Sequence, residues 1–220
     1  IHKNLCKEVL LWRQLHHPNI LEFLGIWKDS STLPAIVSAW MENGNVTQFC
    51  QTLRRPIPFQ DCKQLKYRLL GQVARALDYL HTHTPVIVHQ DVRCANILVN
   101  DACEAVLSDF GLSRLDSSFF NTFTSSLEHG CLRWQAPELL FPDNAPAFIP
   151  NPTPASDIYA LGMTALELLT GQKPYSRMTI DAAVIMEVYH NRRPAYHQQV
   201  DKQAWRFFLT CWSRNPLDRP

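Results

Sequence analysis

Three side chains in this sequence have types and spacings suited to chemistry: Asp91, Asn96 and Asp109. In His89-Gln90-Asp91-Val92-Arg93-Cys94-Ala95-Asn96 an acid stands five positions before an amide, and an apolar run, Ile97-Leu98-Val99, follows at once. The second acid opens Asp109-Phe110-Gly111, a turn that ends in glycine. One carboxylate that can accept a proton, with an amide and a second carboxylate that can hold a metal ion, is the set that phosphoryl transfer requires.

The elements that must position these groups can be read from periodicity. Residues 3–16 carry Leu5, Val9 and Trp12 at helical spacing, with Leu11 and Leu15 on a flanking stripe, until Pro18 stops the helix. Ile20–Trp27 and Ala35–Ala39 are rich in β-branched, aliphatic and aromatic residues and are expected as strands. A short helix is expected over Val46–Leu53. A long one over 61–83 has Leu65, Leu69, Val73, Leu77 and Leu80 on one face. Short strands at Ile97–Val99 and Ala105–Leu107 bracket an Asn100-Asp101 turn. Residues 112–135 lack periodicity and carry Ser113, Ser117, Ser118, Thr122, Thr124, Ser125 and Ser126. The prolines of Phe141–Pro154 predict a loop. Ser156-Asp157 is expected to cap an apolar helix that runs to Thr170 and ends at Gly171. Further helices are expected over 179–190 and 202–212.

Composition excludes several classes. The formal charge is +1, too small for a field that would attract nucleic acid or a membrane surface. No apolar run approaches the roughly 20 residues that span a bilayer. The seven cysteines form no close CxxC pair, which disfavours a disulfide framework or zinc site and fits a reducing, cytoplasmic setting. No secretory leader is expected, since Ile1 opens directly into an amphipathic pattern.

Taken together and in order, these motifs resemble the catalytic domain of protein kinases, in the tyrosine-kinase-like serine/threonine group. The resemblance rests on Glu8 in the first helix, Ser38-Ala39-Trp40-Met41-Glu42-Asn43-Gly44, the Asp91–Asn96 run, Asp109-Phe110-Gly111, Leu132-Arg133-Trp134 before Ala136-Pro137-Glu138, Asp157, and the closing Asp218-Arg219-Pro220. It implies an α+β fold with residues 1–40 as part of the small lobe and 41–220 as the large lobe. It also implies that the glycine-rich loop and strand lysine would lie before Ile1, so that this stretch is expected to be an incomplete domain, inactive alone, a fragment of a full kinase with a natural truncation as the alternative. The implied activity is transfer of the ATP γ-phosphate to a protein hydroxyl of serine, threonine or tyrosine, with ATP and Mg2+ as cofactors. Asp91 would take the proton, Arg93 would stabilise the transferring group, and Asn96 and Asp109 would hold the metal. Ala39, Met41, Leu98, Asp109 and Glu8 would serve the nucleotide. Asp157 would bond backbone groups of the catalytic loop, with a plain helix cap as the competing reading. Arg219 would pair with Glu138. Residues 112–135 would be an activation segment.

Two departures stand out. Gln90 replaces an arginine that usually receives the phosphate of that segment, and Cys131 replaces a hydroxyl residue that usually bonds the catalytic acid. Both favour an alternative, a pseudokinase that binds partners without chemistry. A small-molecule phosphotransferase shares the Asp-to-Asn spacing but does not account for Ala136-Pro137-Glu138 or the Asp157 helix.

Overall fold

The computed structural model describes residues 9–29, 34–53, 59–110, 114–115, 131–141 and 152–220. In chain order the strands are β1 (Phe23–Trp27), β2 (Ala35–Ser38), β3 (Ile87–Val88), β4 (Ile97–Val99), β5 (Ala105–Leu107) and β6 (Arg114–Leu115). The helices are α1 (Val46–Leu53), α2 (Phe59–Thr82), α3 (Pro137–Leu140), α4 (Pro154–Thr170), α5 (Asp181–Tyr189) and α6 (Lys202–Cys211). This is the expected α+β class. The chain packs as two compact units, Ile1–Thr82 with Ala95–Ser113, and His83–Cys94 with Arg114–Pro220.

In the first unit the expected helix over 3–16 is seen as helix at residues 9–12, and its earlier part lies outside the described residues. It tightens before Pro18: Gln14 N–H donates to Leu11 O and Leu15 N–H to Trp12 O, both three residues back. The expected strand Ile20–Trp27 divides in two. β1 starts at Phe23, while Leu21 N–H donates to Leu107 O and Leu107 N–H to Asn19 O at 2.9 Å each. Residues 19–21 are therefore held by β5, and the chain must turn away before it can pair with β2. α2 buries Leu69, Val73, Leu77 and Leu80 as its period predicts. Gln72 Oε1 on the same helix accepts from Ala105 N–H at 2.7 Å, which ties α2 to the β4–β5 hairpin.

The second unit is built on α4, whose residues are buried on nearly every side. Its cap differs from expectation. Thr153 is the N-cap, in a capping box with Ser156, and Pro154 opens the helix. Pro fits the first helical position because its missing N–H is an orphan there, so the helix starts two residues before Ser156. Gly171 ends it in the left-handed region at φ 72°, as expected. Gly162 packs tightly against the end of α6 and its cap: a Cβ there would lie 2.7 Å from Trp212 Nε1 and 2.9 Å from Cys211 Cβ. Gly162→Ala is expected to cost about 1–3 kcal/mol through overpacking, despite alanine's better helix propensity. A melting temperature at or above wild type would refute that packing.

Cys50, Cys62, Cys94, Cys131 and Cys211 are buried, and Cys103 is half-buried. Burial pushes the Cys211 thiol up to about 11. Among the described residues no helix is long and apolar enough to cross a membrane.

Candidate active site

Asp91 and Arg93 belong to the second unit; Asn96, Asp109, Leu98, Ala39 and Met41 belong to the first. Glu8, Gly111 and the hydroxyl-rich residues 116–130 lie outside the described residues.

In the first unit, β4 and β5 form an antiparallel hairpin with Ile97 opposite Leu107. One step further, Ser108 donates both its backbone N–H and its hydroxyl to Asn96 O, at 2.9 Å each. The register therefore sets Asn96 beside Ser108, one residue from Asp109. Asn96 is buried and Asp109 is exposed. Asp109 has φ 65°, a left-handed conformation that Asp tolerates better than most side chains. Phe110 is buried against Trp12, with ring centroids 5.5 Å apart, which anchors the turn beneath the exposed acid.

The stretch around Ala39 and Met41 is fastened to the same hairpin. Met41 O accepts from Gly44 N–H at 2.9 Å, and Gly44 O accepts from Val99 N–H at 3.0 Å. Asn45 bridges Leu98, and Asn43 Nδ2 donates to Asn100 O at 2.8 Å. Gly44 has φ 63°, and a side chain there would strike Gln48, so glycine is needed at this turn. Leu98 is half-buried beside the turn, and Ala39 and Met41 are half-buried within it.

In the second unit, three successive backbone N–H groups around Asp91 are taken by side chains. His89 N–H donates to Asp157 Oδ2 at 2.8 Å, Gln90 N–H to Asp157 Oδ1 at 2.9 Å, and Asp91 N–H to His89 Nδ1 at 3.3 Å. The last bond requires the hydrogen of this imidazole on Nε2. Asp157 is thus a buried anchor for the loop rather than the helix cap, which is Thr153. Gln90 adopts φ 73°, a strained value for such a side chain, immediately before the candidate base. Arg93 Nε lies 3.1 Å from Asp91 Oδ1, with 22% of the arginine side chain and 4% of the aspartate exposed. Cys131 is buried, and Gln135 Nε2 donates to its sulfur at 3.6 Å.

Helix α4 holds this loop at two further levels that sequence reasoning missed. Thr164 Oγ1 donates to Val92 O at 2.8 Å, and Cys94 Sγ donates to Thr164 O at 3.6 Å. Glu167 Oε2 accepts from Cys94 N–H at 3.2 Å and from Trp134 Nε1 at 3.1 Å. Asp157, Thr164 and Glu167 stand at i, i+7 and i+10, one face of the helix. Three polar side chains at that spacing in an otherwise apolar helix were the available signal. Arg133 was also missed: it donates to Pro174 O, Tyr175 O, Met178 O and Asp181 Oδ1 at 2.9–3.1 Å.

Burial pushes the Glu167 carboxyl above its ordinary 4.5, against the opposing pull of the Cys94 and Trp134 hydrogen bonds and of Lys173. A raised folded value means that the native state binds the proton more tightly than the unfolded chain does. Its stabilising contribution is full below about 4.5 and is lost as pH rises through the folded value. Glu167→Gln is expected to flatten that part of the profile of melting temperature against pH; an unchanged slope would refute the assignment.

Comparison with known proteins agrees with this architecture. The family model for protein tyrosine and serine/threonine kinases matches residues 1–220. The chain belongs to the protein kinase family. It is 30% identical to a probable serine/threonine-protein kinase, drkC, of Dictyostelium discoideum, over 98% of this chain and 27% of that protein. It is 29% identical to the mouse serine/threonine-protein kinase TNNI3K, over 98% of this chain and 24% of the other. With the Arabidopsis thaliana serine/threonine-protein kinase CTR1 the identity is 28%, over 97% of this chain and 25% of the relative. The chain thus spans about a quarter of the length of these relatives. They are of the tyrosine-kinase-like serine/threonine kind that the motifs suggested.

Proposed function

We propose that this chain is the catalytic part of a protein kinase that transfers the ATP γ-phosphate to a serine or threonine hydroxyl of a protein substrate. Residues 1–40 are read as small lobe and 41–220 as large lobe. The observation that carries the reading is the hairpin register that sets Asn96 beside Ser108 and Asp109. These side chains offer only oxygen donors along the edge of the hairpin, with one carboxylate. Among the described residues no cluster of three or more His, Cys, Asp and Glu gathers to hold a metal ion without further ligands. That donor set fits Mg2+, which takes one or two carboxylates and keeps water and phosphate as its other ligands.

Asn96 and Asp109 would hold the metal, and Ala39, Met41 and Leu98 would receive the adenine. Bound Mg2+ and ATP supply the phosphoryl group and neutralise its charge. Asp91 takes the hydroxyl proton as the acceptor oxygen bonds to the γ-phosphorus, and ADP is the leaving group. Arg93 holds the Asp91 carboxylate in place and adds positive charge to the transfer. Gln90 carries no charge to pair with a phosphorylated segment. Replacing Ser117, Ser118, Thr122, Thr124, Ser125 and Ser126 together by Ala is therefore expected to leave turnover unchanged in a kinetic assay. Loss of activity would contradict this.

Phosphate transfer from γ-labelled ATP to a general protein substrate, with and without Mg2+, tests the reading on the intact protein. Metal-dependent labelling of serine or threonine supports it. ATP or partner binding with no labelling would favour the second reading, a pseudokinase, for which Gln90 and the thiol at Cys131 speak. Seven cysteines with no close CxxC pair fit a reducing, intracellular setting for either.

A further inference from the structure

We infer that Glu167 is a positioning residue that locks the Asp91 loop to the segment leading into α3, and that turnover depends on this lock although Glu167 touches no reacting atom. The inference rests on the kinase reading for its effect on turnover, and on geometry alone for the coupling.

A single oxygen, Glu167 Oε2, accepts from both segments: from Cys94 N–H at 3.2 Å and from Trp134 Nε1 at 3.1 Å. Both donors belong to buried residues. A carboxylate oxygen has two lone pairs, so it can serve both N–H groups at once. On the loop side, Cys94 is three residues past Asp91, and Thr164 fixes the intervening Val92 carbonyl at 2.8 Å. On the other side, Arg133 binds residues 174–181 through four hydrogen bonds, so Trp134 is carried on a segment already fixed along its opposite face. Glu167 is where those two held segments meet. Truncating it leaves a backbone N–H and an indole N–H buried without this acceptor, a penalty that each segment can relieve only by moving. A displacement of about 1 Å at a catalytic group is enough to cost up to roughly 100-fold in rate.

The test compares the wild-type intact protein with Glu167→Gln, Glu167→Ala and Trp134→Phe. Hydrogen exchange is read over 91–96 and 131–136, and steady-state kinetics are run alongside. Glu167→Gln keeps an acceptor oxygen and is expected to retain most of the turnover. Glu167→Ala is expected to lower kcat about 10- to 100-fold, with the KM for ATP held within about twofold. Exchange protection should fall in both segments together. Trp134→Phe removes the indole donor while keeping an aromatic ring; it should still raise exchange over 91–96, which keeps the inference testable if Glu167→Ala does not fold. Protection lost in one segment alone, a Gln variant no better than Ala, or wild-type kcat in Glu167→Ala would each overturn it. If the wild-type protein transfers no phosphate, the kinase reading fails, and the exchange data still decide the coupling.

Discussion

Asp91→Asn is expected to reduce phosphate transfer by about 10²–10⁴-fold, the usual worth of a positioned general base. The substitution keeps the size of the side chain and one acceptor oxygen but removes the group that takes the proton. Backbone positioning should survive, since the bonds that set this loop come from other residues: Asp157 to His89 and Gln90, and Thr164 to Val92. The melting temperature should therefore change little. The Arg93 side chain would lose its charged partner at 3.1 Å, but it is 22% exposed and can turn to water. Kinetics and thermal melting on the same preparation check both halves. Full activity in Asp91→Asn would end its assignment as the base.

The largest effect on stability is expected at Arg219. Its Nη1 and Nη2 donate to the two carboxylate oxygens of Glu138 at 2.6 and 2.7 Å, a bidentate pair as the motifs suggested. Two further donors are used, at Ala155 O and Ser213 O, and its guanidinium lies over the Tyr159 ring at 5.2 Å. The Arg219 side chain is fully enclosed, while Glu138 remains 25% exposed. Arg219→Ala leaves a largely enclosed carboxylate and two carbonyls without this donor, and is expected to cost about 3–5 kcal/mol. Glu138→Gln should cost less, because part of that side chain reaches solvent. Urea unfolding of the two variants measures the difference; equal losses, or an Arg219→Ala loss below about 1 kcal/mol, would show that the pair contributes little.

Local signals made some elements readable and left others hidden. Helix α1 and strands β4 and β5 fall at the expected residues because turn sequences and glycine bound them closely. Helix α2 is readable because its apolar residues, from Leu65 to Leu80, recur at a fixed period over about four turns. The break between Ile20 and Phe23 was hidden, because it comes from a distant partner: β5 captures residues 19–21 and leaves only the rest for β2. The cap of α4 was read three residues late, at Ser156 rather than Thr153, because Ser156 and Asp157 are both good cap residues. Asp157 is instead spent on the backbone of 89–90, a long-range use that local composition does not reveal. The same applies to Thr164 and Glu167. Each is an ordinary polar residue in a helix until its partner, more than 30 residues away in sequence, is known.

The proposed phosphoryl transfer needs an acid that moves a proton, and an amide and a second acid that hold a metal. Calorimetric titration of ATP into the intact protein, with Mg2+ present or chelated, separates these roles most directly. Wild type and Asp91→Asn are expected to bind ATP with similar, metal-dependent affinity, and Asp109→Asn to lose most of that dependence. ATP binding that is equally tight without metal, or untouched by Asp109→Asn, would contradict the account.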